Sequence, residues 1–225
     1  MPYAPDAPQH ERGATVPLSP PSPREKLHTR AIVIDGYRRA DGLFDIEARL
    51  ADTKTYAFST EDRGEITPGV PLHGMLMRLT IDEDMTVVAA EANTEYGPFA
   101  MCPAITPNFA RLAGLRIGPG WNRKVKERVG GVQGCTHLVE LLGPMATVAF
   151  QTLIVVRRKR PADPAAPPAL LNTCHAYAAD SPMVARRWPE YVKARGYSAG
   201  PLNDEPDMKA VTAVRSADPL PDERE

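Results

Sequence analysis

Apolar and polar positions alternate through the first half of the chain. Arg30 to Tyr37 (RAIVIDGY) is β-branched and apolar enough for a strand. Ala40-Asp41-Gly42 then supplies turn chemistry, because glycine tolerates positive φ. Phe44, Ile46, Ala48 and Leu50 alternate with Asp45, Glu47 and Arg49, a period of two that predicts a half-buried second strand. Residues 60–70 carry turn chemistry. A third strand is predicted where Met75, Met77, Leu79 and Ile81 alternate with Leu76, Arg78, Thr80 and Asp82. A fourth is predicted over Thr86–Asn93, after the turn at Asp82-Glu83-Asp84. Four strands joined by short connections favour an antiparallel meander.

After Pro103 the period changes. Thr106-Pro107 resembles a helix start, and Phe109, Leu112 and Leu115 follow helical spacing, with Gly114 as the stop. Residues 119–129 predict a short basic helix ended by Gly130-Gly131. From Cys135 an apolar stripe runs through Leu138, Leu141, Leu142, Met145, Val148, Ala149 and Leu153. Gly143-Pro144 should kink this stripe or split it in two. Strands followed by helices predict an α+β fold: an antiparallel sheet of three to four strands with helices packed on one face.

Proline clusters outside this pattern, at Pro2–Pro23, at Pro161–Pro168 and from Pro201 onward. Such segments predict a disordered arm over residues 1–26, a linker near 160–168 and a flexible tail over 199–225, around a single domain spanning 27–198. A formal net charge of −1 gives no bulk attraction to nucleic acid. The run Arg157-Arg158-Lys159-Arg160 reads as a solvated helix end, without an aromatic platform for bases. Three cysteines fit no disulfide framework, no leader is expected, and no apolar run is expected to reach the ~18–20 residues of a membrane helix. A cytoplasmic protein is the expectation.

Chemistry concentrates at the edges of the apolar segments. Cys135-Thr136-His137 places a thiol and an imidazole at a helix start, where the dipole favours thiolate. A structural reading, a small buried cysteine with a capping histidine, stands beside the functional one. Cys102 ends the segment after the fourth strand, and His73 opens the third. The hairpin between those strands brings the two toward one end of the sheet. His73, Cys102 and Cys135 would form a Cys₂His set for zinc, with a fourth place for water, His137, Cys174 or His175. Iron or an iron–sulphur cluster also accepts thiolate-rich ligation. His137 and Glu91 are the candidate catalytic acid or base. Arg38, Arg39, Asp41, Asp45, Asp52 and Lys54 form a polar constellation whose preferred reading is a solvated strand face with a turn aspartate. Arg39 and Asp41 from it, with Arg78 of the third strand, are the candidates for substrate binding.

Two resemblances add to this. Arg39-X-Asp41-Gly42, Asp52, His73, Arg78-Leu79-Thr80-Ile81-Asp82, Cys102-Pro103, Gly134-Cys135-Thr136-His137-Leu138 and Thr173-Cys174-His175-Ala176-Tyr177 resemble an uncharacterised bacterial family, a domain of unknown function, over about residues 27–190. That resemblance implies a setting in aromatic-compound catabolism and no defined reaction. The element order is more distantly similar to NifU/IscU-type iron–sulphur scaffolds. That likeness implies ligands at His73, Cys102 and Cys135, although no Leu-Pro-Pro-Val-Lys stretch precedes Cys135.

The expected function is a metal-binding enzyme of small-molecule metabolism, with aromatic compounds as a candidate class, of lyase or hydrolase type, holding zinc or iron. The alternative is a metal or sulphur carrier that meets a protein partner. A homo-oligomer is compatible with either; membrane and nucleic-acid partners are not expected.

Overall fold

The computed structural model describes residues 18–157 and 170–195 of the chain. The expected 160–168 linker and 199–225 tail lie outside the described residues, as do residues 1–17 of the expected arm. The chain divides into two compact units, Met1–Arg160 and Pro161–Glu225.

The first unit is built on a four-stranded antiparallel sheet. Its strands are β1 (His28–Arg38), β2 (Phe44–Lys54), β5 (Pro71–Ile81) and β6 (Val87–Tyr96), in the order β1-β2-β5-β6. All four expected strands are present, each a few residues longer than the alternation alone defines. Between β2 and β5 the turn-rich stretch folds into a small hairpin of β3 (Phe58–Thr60) and β4 (Gly64–Ile66). Gly42 closes the β1–β2 turn at φ 89°, where a side chain would be strained. Asp82 closes the β5–β6 turn: its Oδ1 accepts the backbone N–H groups of Asp84 at 2.9 Å and Thr86 at 2.8 Å.

Every second residue of β2 (Phe44, Ile46, Ala48, Leu50, Asp52) is buried, as are Met75, Met77, Leu79 and Ile81 of β5. These define one inner face. The outer face carries Asp45, Glu47, Arg49 and Arg78, paired in ion pairs along the wet side. Helix α1 (Trp121–Val129) and helix α2 (Thr136–Arg157) complete the core with Trp121, Val125 and Val129, and with Leu138, Leu141, Leu142, Met145, Ala149 and Leu153. Helices therefore cover one face of the sheet, as the pattern predicts. The indole N–H of Trp121 donates to the Leu142 carbonyl at 2.9 Å and fixes α1 against α2.

Two helical expectations change. Cys102–Leu112 is a 3-10 helix, with Pro107 inside it. Proline has no N–H to give an α-helical bond, and the Thr106 hydroxyl donates instead to the Pro103 carbonyl at 2.9 Å. Second, of the kink or split expected at Gly143-Pro144, the split does not occur: α2 is one helix of 22 residues. Its buried stripe continues on both sides of Gly143-Pro144, so sheet packing outweighs the lost backbone bond. Thr136–Val156 is consequently long and apolar enough to cross a membrane by length and composition, with a mean hydropathy of 1.7. This corrects the expectation that no run reaches that length. In the fold, this helix lays its apolar stripe on the sheet.

α2 crosses β1 closely at Gly36. A Cβ on Gly36 would stand 1.9 Å from Thr152 Oγ1. Gly36→Ala is therefore expected to cost about 1–3 kcal/mol, by overpacking a contact that is already closed. Chemical denaturation would measure this. Adding Thr152→Ala should return part of the loss, and an additive double variant would show that the two positions do not meet.

The second unit contains a 3-10 turn at His175–Tyr177, α3 (Pro182–Arg187) and α4 (Pro189–Ala194). Ser181 caps α3, its hydroxyl accepting the Val184 N–H at 3.2 Å. Cys174 and His175, expected as metal ligands, are both exposed on this unit.

Candidate metal centre

The inner face of the sheet ends in polar residues. On β2 the series Phe44, Ile46, Ala48, Leu50 continues to Asp52. On β1 the partner series Ile34, Ile32 continues to Arg30, and on β5 Met77, Met75 continues to His73. The register pairs Arg30 with Asp52 and Asp52 with His73, so the three stand in one row across three strands. A register shift between Asp52 and Thr53 follows at once, ending the regular β2–β5 ladder just past this row. The start of α2 lies over the row and supplies His137 and Glu140, three residues apart and so on one side of the helix.

Asp52 is 2% exposed and is the centre of the cluster. Its Oδ1 accepts from Arg30 Nε at 2.8 Å and lies 3.2 Å from His28 Nε2. Its Oδ2 accepts from the second Arg30 nitrogen at 2.7 Å and lies 2.9 Å from His73 Nδ1. His137 Nε2 stands 3.9 Å from the same Oδ2. The other ring nitrogen of His137, Nδ1, faces Cys135 Sγ at 3.8 Å. The His73 and His137 rings stack with centroids 3.7 Å apart and an interplanar angle of 31°. Arg30 also donates to Glu140 Oε2 on α2.

The charge states follow from this packing. Burial pushes the Asp52 carboxyl upward, yet the hydrogen bonds from Arg30 and His73 outweigh it and hold Asp52 well below the usual carboxylate range. Arg30 is raised above its ordinary value by its hydrogen bond to Asp52, against a smaller opposing effect of burial. Burial lowers His73, opposed by its bond to Asp52. His137 is lowered by burial first and by the neighbouring His73 second. The neutral imidazoles this favours are the form that binds metal.

Asp52, His73 and His137 each offer one ligand atom, and these atoms all lie within 4.8 Å of one another. Ligands on a tetrahedral zinc with bonds of about 2.1 Å stand about 3.4 Å apart, between the 2.9 Å and 3.9 Å at which His73 and His137 lie from Asp52 Oδ2. One carboxylate and two imidazoles form a donor set used by zinc and by iron(II).

His73, expected as a ligand, and His137, expected as a catalytic acid or base, thus come together, and Cys135 touches the group through His137. Cys135 is the cap of α2, its carbonyl accepting the Val139 N–H at 2.9 Å. It also lines a cavity of about 240 Å³ with Lys126, Gly130, Gly131, Thr136 and Val139. Cys102 packs against Gly97, one residue beyond the β6 partner of Gly74, and stands outside the three-residue group. Glu91 lies opposite Arg78 on the outer face, with an Oε2 to Arg78 nitrogen distance of 3.6 Å, on the side of the sheet away from Asp52. Arg39 and Asp41 pair in the β1–β2 turn, where Arg39 Nη2 donates to Asp41 Oδ2 at 2.7 Å. That turn precedes Phe44, and Asp52 lies at the other end of β2, about 27 Å along a strand. So Arg39, Asp41, Arg78 and Glu91 are not gathered with the histidines, and the geometry gives them hairpin and wet-face pairing instead. Arg30, His28 and Glu140 are members that composition did not single out, and Asp52 belongs to the buried centre, in contrast to its expected solvated face.

No curated protein and no solved structure matches the chain, so the likeness to NifU/IscU-type scaffolds has no structural neighbour behind it. A family model described as Protein of unknown function (DUF2889) matches residues 28–151, more than half of the 225 residues. The match runs from β1 into α2 and contains the whole cluster from His28 to Glu140. The chain belongs to this family of proteins of unknown function.

Proposed function

We propose that the protein binds a divalent transition-metal ion, zinc or iron(II), through Asp52, His73 and His137, and that it is an enzyme of lyase or hydrolase type acting on a small molecule. What supports this reading is one observation: a carboxylate and two imidazoles from β2, β5 and α2 converge with ligand atoms within 4.8 Å. Three protein ligands leave a coordination position for water or substrate, the pattern of catalytic rather than closed structural sites. The ion would polarise a bound oxygen or lower the pKa of its water. The chain's own part is to hold that ion at the end of the inner face, with Asp52 ionised and both imidazoles neutral. Thiolate-bound iron–sulphur chemistry is less well supported, because the three-residue group contains no cysteine. Aromatic compounds enter only as the first substrates to screen.

The reading is tested on metal-free protein titrated with Zn²⁺ or Fe²⁺ by calorimetry. One ion per chain is expected, and His73→Ala or His137→Ala should each weaken binding by about 100-fold or more. Cys102→Ser should leave the affinity unchanged. An absence of binding, or histidine variants that bind as well as the parent, would overturn the metal reading. A tightly bound ion with no turnover on esters, amides or hydratable substrates would favour the alternative, a carrier that passes the ion to a protein partner.

A further inference from the structure

Asp52 has no vacant place. Each of its two oxygens already has two close partners: His28 and Arg30 on Oδ1, Arg30 and His73 on Oδ2. A carboxylate oxygen offers two lone pairs, so an ion arriving at Oδ2 takes the place of the His73 hydrogen bond, with His73 turned ligand, and still meets Arg30 on the same oxygen. Arg30 is the partner least compatible with a cation, being permanently charged and bound to both oxygens. It also has somewhere to go. Its guanidinium already bonds Glu140, whose side chain is 47% exposed and lies on the α2 turn above the row. The Arg30 side chain is itself 31% exposed, so it has room to turn toward solvent while keeping that bond.

We infer that Arg30 is a built-in competitor for the metal ion: it holds Asp52 in the ion-free protein and withdraws to Glu140 when the ion binds. This rests on the three-residue metal reading and assigns Arg30 and Glu140 as positioning residues for it. Glu140 acts as the second seat: its pair with Arg30, shared with Asp52 in the ion-free protein, strengthens once the guanidinium turns to it alone, which lowers the cost of releasing Asp52. The competition keeps a buried carboxylate paired in the empty protein, where an uncompensated charge would be destabilising, and it sets the affinity below what the three ligands alone would give.

The sign of the effect separates this from simple support of Asp52. Zn²⁺ is titrated by calorimetry into the full-length metal-free parent, Arg30→Gln, Glu140→Gln and the double variant. Competition predicts that Arg30→Gln binds about tenfold or more tightly, since a charge-assisted pair no longer has to be broken. Glu140→Gln should bind more weakly than the parent. The double variant should match Arg30→Gln, because Glu140 acts only through Arg30. Weaker binding by Arg30→Gln, with the fold intact by circular dichroism, would overturn the inference and make Arg30 an ordinary orienting partner. So would a Glu140→Gln effect that persists without Arg30. Glu140→Gln alters an exposed residue and keeps the test available if Arg30→Gln does not fold. If the parent itself takes no Zn²⁺, the metal reading fails, and this inference fails with it.

Discussion

Asp52→Ala is expected to abolish metal binding and to lower the stability of the metal-free protein by about 3 kcal/mol, the lower end of what breaking a buried ion pair costs. The lower end applies because Arg30, the partner left behind, is 31% exposed on its side chain and regains some hydration. The loss is still large, because one carboxylate joins three strands and faces the helix. Removing it leaves Arg30 and His73 without their common acceptor at the end of an apolar face. Calorimetry measures the loss of binding and urea denaturation the loss of stability. Asp52→Asn should fall between parent and alanine variant, since an amide keeps an acceptor for Arg30 but not the charge. A loss below about 0.5 kcal/mol would mean that the row behaves as a solvated surface pair.

The same residues set the response to acid. Asp52 is held well below the usual range in the folded protein, whereas an unfolded chain protonates it near pH ~3.9. Its stabilising contribution is therefore complete above that value and is lost as pH falls below it. His73 and His137 are lowered from their ordinary value of 6.5, so on acidification the unfolded state takes up protons before the folded state does. Stability falls with pH from about 6.5 downward for that reason. Metal-free protein should lose melting temperature in two stages, an upper one from the imidazoles and a lower one from the carboxylate. Asp52→Asn should lack the lower stage. A melting temperature unchanged between pH 7 and 5 would contradict the burial of the imidazoles.

How far the fold was legible follows from which signals are local. Alternation in Phe44–Leu50 and Met75–Ile81 needs only a strand with one wet face, and both strands formed as that pattern requires. Whether α2 splits or continues at Pro144 was not legible, because local chemistry opposes continuation and only the packing of Leu138 through Leu153 on the sheet supports it. The 3-10 form of Cys102–Leu112 depended on Pro107 and on which carbonyl Thr106 reaches. For the site, His73 and His137 were visible as ligand types, but their partners were sought among the thiols. The stronger signal was parity. Extending each inner-face series by one step gives Arg30, Asp52 and His73, and the register sets them side by side. The same parity turns Arg78 and Glu91 outward. Register is a long-range property, so a strand read alone shows Asp52 as one more polar residue near a turn.

Gly134→Ala should damage the site without touching any of its members. Gly134 precedes the Cys135 cap, and its φ of −155° and ψ of −167° are extended values open to any residue. What excludes a side chain is proximity: a Cβ there would stand 1.9 Å from the Val129 carbonyl oxygen at the end of α1. That oxygen belongs to backbone, so no side-chain rotation relieves the clash, and the start of α2 has to move relative to α1. His137 lies within the first turn of α2 and Glu140 just beyond it, so both shift against the row on the sheet. Buried Trp121 still holds the body of α2 through Leu142, which confines the displacement to the first turns. The expected result is a loss of about 1–3 kcal/mol in stability together with a metal affinity reduced about tenfold or more, since ligands must sit within a few tenths of an ångström. Circular dichroism would show the fold retained while Zn²⁺ calorimetry reports the loss. Parent-like affinity would mean that His137 is placed by its contact with the sheet alone, and not by the α1–α2 junction.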